Sequence, residues 1–233
     1  MVHLSSAGAP RPLILALHGS RDPRAWGVAE ELRTAVSRRL PGLDVDLGWA
    51  DVLTPTLTDT LARIGASVVV PVFLTTGYHV EVDLPDAVSA SGGRAVLTSR
   101  VDGLVAAVAD RLFEAGGPLD AVVLAAAGSS RAESLTEVRA AAVELAALVG
   151  RPVAAAFLTA ASPTVAEAVS AFAATGARVS VASYLLAPGV FHLRLAGLAP
   201  VVSEPIGIHP ALVASIVSRY AGATEAARAG VAA

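Results

Sequence analysis

Two histidines and a carboxylate stand out because of where they fall. His18 follows the apolar run Leu13–Leu17, Asp51 follows Val45–Ala50, and His79 follows Ser67–Leu74, with Glu81 and Asp83 just beyond it. Each run reads as a strand. In open parallel sheets, ligands bind outside the carboxyl ends of the strands. Two imidazoles and a carboxylate suit borderline divalent ions such as Fe(II), Co(II), Ni(II) or Zn(II). Taken one at a time these residues have plainer uses. A histidine at a strand end commonly just satisfies a hydrogen bond, and Asp51 would equally cap a helix starting near Thr54. Gly19-Ser20 makes either a tight turn or a set of N–H groups facing an anion at a helix N-terminus. Arg21 and Arg24 are either solvated or clamp carboxylates. His3 falls in the N-terminal stretch and His209 in a turn before Pro210, and both read as inert. Trp26 and Trp49 read as packing.

Composition removes much competing chemistry. The 233 residues contain no Cys, and all 17 basic side chains are Arg, because Lys is absent. Thiol nucleophiles, disulfides, Cys-ligated clusters, Schiff bases and the P-loop lysine are therefore excluded. Gly19 lacks the partner glycines of a dinucleotide fingerprint. A net charge of −3 with no basic stripe argues against nucleic acid as a partner. The densest apolar run, Val68–Leu74, is interrupted by Pro71 and is far short of the roughly 20 residues a membrane span needs. Met1–Pro10 has neither a charged nor an apolar leader segment. The reading is a cytoplasmic protein with no membrane partner.

Short apolar runs alternate with amphipathic stretches, which predicts an α/β fold with a parallel sheet. Strands are expected at Leu13–Leu17, Val45–Ala50, Ser67–Leu74, Arg94–Leu97, Ala121–Ala126, Val153–Leu158 and Arg178–Leu186. Helices are expected at Arg24–Arg39, Pro55–Ile64, Leu84–Ala90, Val101–Ala115, Ser134–Val149, Ser162–Thr175 and Pro210–Tyr220. Pro55 and Pro85 suit first helical turns. Ser134 with Glu137 reads as a capping box.

Gly116-Gly117-Pro118 marks a restart, after which the chain repeats itself. Leu13–Ser20 aligns with Val122–Ser129, Thr54-Pro55-Thr56 with Ser162-Pro163-Thr164, and Phe73–Gly77 with Leu185–Gly189. Two similar parallel-sheet α/β lobes facing each other across a cleft are therefore predicted. Residues 1–116 form the first, 117–222 the second, and 223–233 a disordered tail. The repeat supplies an internal control. Ala127 stands opposite His18, Thr159 opposite Asp51 and Phe191 opposite His79, with His192 one place off. The second lobe keeps the scaffold without the constellation, so a single site is expected, built by the first lobe and roofed by the second.

His18-Gly19-Ser20-Arg21, Pro55-Thr56, the strand ending Pro71-Val-Phe-Leu-Thr-Thr-Gly-Tyr-His79, and Asp83-Leu84-Pro85 together resemble the sirohydrochlorin chelatases of the CbiX/SirB type. These are class II tetrapyrrole chelatases. The duplication resembles their long, two-lobe form over residues 12–221. The resemblance implies that His18 and His79 are metal-binding and catalytic. Asp51 falls where some members carry a metal-binding Glu, one methylene longer. It further implies a divalent metal, Fe2+ or Co2+, as substrate, sirohydrochlorin as partner, and neither ATP nor an organic cofactor. A polycarboxylate ring entering an acidic protein needs local donors, for which Ser20, Arg21, Arg24, Thr75 and Thr76 are candidates. Leu17, Val80 and Leu186–Phe191 would supply an apolar wall. A built-in duplication suits a monomer. A non-enzymatic metal or tetrapyrrole carrier and a metal-assisted hydrolase remain open on the same residues.

Overall fold

Alternation along the first strand shows how the molecule is layered. In a computed structural model, which describes residues 10–51 and 53–231, β1 (Leu13–Leu17) sends Leu13 and Leu15 into a central core. It sends Ile14 and Ala16 into an outer cluster with Leu57, Leu61 and Leu84. A strand covered on both faces has no polar side to show, hence its unbroken apolar sequence. It lies between β2 (Val45–Trp49) and β3 (Val68–Pro71), and β4 (Val96–Leu97) adds to β3, giving an all-parallel order β2-β1-β3-β4. The second half repeats this with β5 (Ala121–Ala126), β6 (Val153–Phe157), β7 (Val179–Tyr184) and β8 (Val201–Val202), in the order β6-β5-β7-β8. Val122 and Leu124 enter the same central core as Leu13 and Leu15, so the two lobes share one apolar interior. The two-residue β8 has too little sequence to announce itself.

Helices cover the sheets: α1 (Pro23–Arg39), α2 (Leu57–Ile64), α3 (Leu84–Ala90), α4 (Val105–Glu114), α5 (Ala132–Val149), α6 (Val165–Ala173), α7 (Val190–Leu193) and α8 (Pro210–Val231). A π-helical turn, His79–Asp83, runs directly into α3. Asp22 caps α1 by accepting the Arg24 N–H, and Ala29, Leu32 and Val36 form its buried stripe.

Four sequence expectations are corrected. Pro55 lies outside α2, whose N-cap is Thr56 in a reciprocal capping box with Asp59. Thr164 and Glu167 repeat that box on α6. Ser134 and Glu137 are not a capping box: Arg131 is the N-cap residue of α5, and both side chains bond elsewhere. The expected disordered tail is helical from 223 to 231, because α8 continues through it; residues 232–233 lie outside the described residues. Finally, the lobes are not made of contiguous chain. α8 packs on α1 and β3 of the first sheet, and α4 packs on α5 and β7 of the second. Each half therefore lends its closing helix to the other. Side-chain ties fix the exchange: Arg111 on α4 donates to the Ile206 carbonyl, and Arg219 on α8 pairs with Asp102. Among the described residues no helix is long and apolar enough to cross a membrane.

Candidate active site

The sheet order decides which strand ends meet. The order of winding reverses at β1, since β2 is laid on one side of it and β3 on the other, and a crevice opens at such a switch point. His18 leaves the end of β1, and His79 lies beyond β3 in the first position of the π-helical turn. Their rings sit edge to face with centroids 4.5 Å apart, and Phe73 lies beside both.

Hydrogen bonds assign the tautomers. His79 Nδ1 is 2.6 Å from Asp83 Oδ2, and His18 Nδ1 is 3.1 Å from the Gly19 carbonyl. Carbonyl oxygens and ionised carboxylates only accept, so each Nδ1 carries a hydrogen, and in a neutral ring Nε2 is then the nitrogen with the lone pair. A carboxylate behind a histidine both orients the ring and makes it a better ligand. Asp83 thus enters the site, and its i,i+4 spacing from His79 was the signal in the sequence.

Asp51 and the two histidines do not form a three-residue group among the described residues. Asp51 sits one turn past β2, where its N–H donates to the His18 carbonyl. β2 and β3 are two strand spacings apart, about 10 Å, with β1 between them. Among the described residues no three His, Asp or Glu side chains are placed to hold one ion. The site therefore offers two imidazoles and leaves the remaining coordination positions to water or a ligand. His3 lies outside the described residues. His209 sits in its turn, capping α8 by accepting the Ala211 N–H, near Asp110.

Both histidines line a cavity of about 680 Å³ between the lobes, within the usual range for small-molecule sites. Ser20, Thr75 and Thr76 face it from the first lobe. Ser129, Ser130 and Tyr184, which the sequence reading passed over, face it from the second; Ser129 was detectable as the repeat partner of Ser20. Burial pushes the Tyr184 phenol up, so it remains a neutral donor. Thr76 Oγ1 is buried without a hydrogen-bond partner. Leu17, Leu53, Val80, Leu185 and Leu186 make the walls apolar. At the mouth, Trp26, Tyr78 and Phe191 are 49%, 61% and 37% exposed, an uncommon state for three rings that border one cavity.

Histidine apart, no cationic or carboxylate side chain lines this cavity among the described residues. Arg21 and Arg24 stand outside the lining, contrary to expectation. The Arg24 guanidinium pairs with Asp22 at 2.7 Å, and that bond holds the Asp22 carboxyl below the usual carboxylate range. Arg194 lies over the Phe191 ring, 5.5 Å from its centroid. Anionic groups of a ligand would therefore sit at the rim, with the apolar body inside.

The second lobe reproduces the frame. Gly19 and Gly128 have φ of 97° and 95°. Ser20 Oγ accepts the Asp22 N–H as Ser129 Oγ accepts the Arg131 N–H, both at 3.1 Å. In place of the first histidine stands Ala127. His192 lines the cavity but donates Nε2–H to the Ser203 carbonyl.

Fold and site together define a class: a duplicated α/β protein with one imidazole pair at the switch point of one lobe. The CbiX family profile matches residues 12–115 and again 121–223, and the chain belongs to that family. Two curated sirohydrochlorin cobaltochelatases are similar to it, from Methanococcoides burtonii (32% identical over 79 residues) and Methanococcus maripaludis (35% over 78). Each alignment covers 31% of this chain, and 60% and 54% of those proteins, so the chain spans little more than half the length of these relatives. The solved structure of SirB from Bacillus subtilis with Fe3+ superposes with a TM-score of 0.73 at 25% identity, covering 90% of this chain and 94% of that one.

Proposed function

We propose that this protein is a sirohydrochlorin chelatase, inserting Fe2+ or Co2+ into the metal-free ring without ATP, as a cytoplasmic monomer. The observation that carries the reading is the His18–His79 pair, each ring tied through Nδ1 to an oxygen, on the wall of an apolar cavity that spans two lobes. Family membership and the names of the relatives support it.

Metallation of a tetrapyrrole requires an ion that is held but still exchangeable. Two neutral imidazoles satisfy both needs, whereas a closed four-ligand site would retain the ion. As the ring nitrogens take the metal, two pyrrole N–H bonds break and their electron pairs pass to the ion. The two imidazoles released from the metal each accept one of the two protons. Asp83 stabilises the imidazolium formed at His79. Walls of Leu and Val lower the local dielectric and exclude bulk water. Imidazolium has no lone pair to offer a metal, so turnover falls as pH is lowered. A metal-assisted hydrolase fits less well, since such sites generally use three protein ligands and two are assembled here.

The test is anaerobic metallation of sirohydrochlorin followed by absorbance, with Fe2+ and Co2+ in parallel, for the wild type, His18→Ala and His79→Ala. Turnover above the spontaneous rate that disappears in both variants supports the chelatase, and the faster metal points to the pathway it serves. Stoichiometric ring binding without acceleration would indicate a carrier and overturn the enzymatic reading.

A further inference from the structure

The second lobe has no imidazole pair, yet it holds the loop that carries His79. The N-cap and first two turns of α5 place Arg131, Ser134 and Glu137 at i, i+3 and i+6, on the side of the helix that meets the His79 segment. Each takes a different group of the segment between β3 and α3. Arg131 pairs with Glu81 at 2.8 Å. Ser134 Oγ donates to Thr75 Oγ1 at 3.0 Å. Glu137 Oε2 accepts the Thr76 backbone N–H at 2.7 Å. Its other oxygen pairs with Arg100 at 2.9 Å, and Arg100 also donates to the Leu74 carbonyl at 2.8 Å. Residues 75, 76 and 81 are thus gripped on both sides of His79 from across the cavity, and Arg100 of the first half braces Leu74. Ser134 is only 3% exposed, so its hydroxyl is committed to this contact rather than to solvent.

The grip is one-sided. With the offset of 109 set by the matching serine turns, α1 carries Asp22, Ala25 and Val28 at the corresponding positions. Two of these cannot hydrogen-bond through their side chains, and Asp22 is occupied by Arg24. The repeat has diverged so that one helix holds the opposite loop and its counterpart does not.

We infer that Arg131, Ser134 and Glu137 are positioning residues for the metal, with Glu137 the principal one. They set the place of the His79 loop relative to His18 and so the fit of an ion between the two rings. The inference rests on the reading of His18 and His79 as the metal-holding pair.

The experiment is titration of the intact chain with Co2+ under anaerobic conditions, read by the visible cobalt bands, beside the kinetics of metallation. Glu137→Ala is expected to remain folded and to weaken Co2+ binding on the order of tenfold, the lower range for groups that orient metal ligands. kcat falls, while KM for the metal-free ring stays. Glu137→Gln keeps an acceptor for the Thr76 N–H and recovers most of the affinity. Arg111→Ala cuts a different cross-lobe tie, to the Ile206 carbonyl, and leaves Co2+ affinity unchanged. Should Glu137→Ala fail to fold, Ser134→Ala carries the test, with a smaller loss in the same direction. Wild-type Co2+ affinity in the folded Glu137 or Ser134 variant, or an equal loss in Arg111→Ala, overturns the proposal. His79→Ala is run alongside: if it binds Co2+ like the wild type, the reading of the histidine pair fails, separately from the role of α5.

Discussion

At the end of β1 the His18 carbonyl accepts the N–H of Asp51 at 3.1 Å; at the end of β5 the Ala127 carbonyl accepts the N–H of Thr159 at 2.9 Å. Backbone, turn and following helix match in the two lobes, and the histidine at this position is present in only one. Main-chain geometry is specified by glycine, by caps and by apolar alternation, all of which survive duplication. Side chains that touch only a ligand are free to diverge once a single site suffices. The second lobe then keeps two tasks: it roofs the cavity, and it supports the loop of its neighbour.

The comparison is broken most directly at the histidines. His18→Ala and His79→Ala should each lower the rate of metallation by a hundredfold or more, about what loss of a group acting in proton transfer costs. Steady-state assays check this, with thermal unfolding to show that both variants fold. Phe191→Ala, at the position that aligns with His79 in the second lobe, should leave Co2+ binding unaltered.

Next in size is the shared turn. A Cβ on Gly128 would lie 2.0 Å from the Thr159 carbonyl oxygen, at a φ of 95°. That oxygen belongs to the backbone, so it does not yield easily. Gly128→Ala should destabilise the protein by about 3 kcal/mol, measured by denaturant unfolding, although it carries no catalytic group.

The paired capping boxes sharpen the likeness. Thr56→Ala and Thr164→Ala should each cost about 1 kcal/mol of stability in the same measurement. Similar losses in the two lobes are expected, with metallation rates unchanged. A much larger loss in one lobe would show that the repeat is no longer energetically equivalent.

The smallest effect separates the lobes by pH. Hydrogen bonds from Arg178 lower the Asp120 carboxyl from 3.8 to about 2. A depressed carboxylate contributes stability that is complete above its unfolded value and is lost as pH falls through the folded one. Unfolding temperature should therefore drop as pH is lowered from about 4 towards 2, and Asp120→Asn should remove that part of the slope. The pair is exposed, so the effect should shrink in high salt.

Much of this molecule is written locally. The β1 and β5 strands, the glycine turns after them and the two histidines at strand ends could be read because apolar runs, positive-φ turns and helix periods involve residues close together in sequence. The 109-residue repeat also pointed to the missing second site. Tertiary structure decided the rest, because it depends on residues far apart. Sheet order put β1 between the strands that lead to Asp51 and His79, and among the described residues no three His, Asp or Glu side chains are gathered to hold one ion. The exchange of α4 and α8 between lobes follows from which apolar faces can be covered, which no single helix reveals. Ser134 and Glu137 had the spacing of a capping box. Their partners lie 59 and 61 residues away, and only the folded chain brings those within reach of a hydrogen bond.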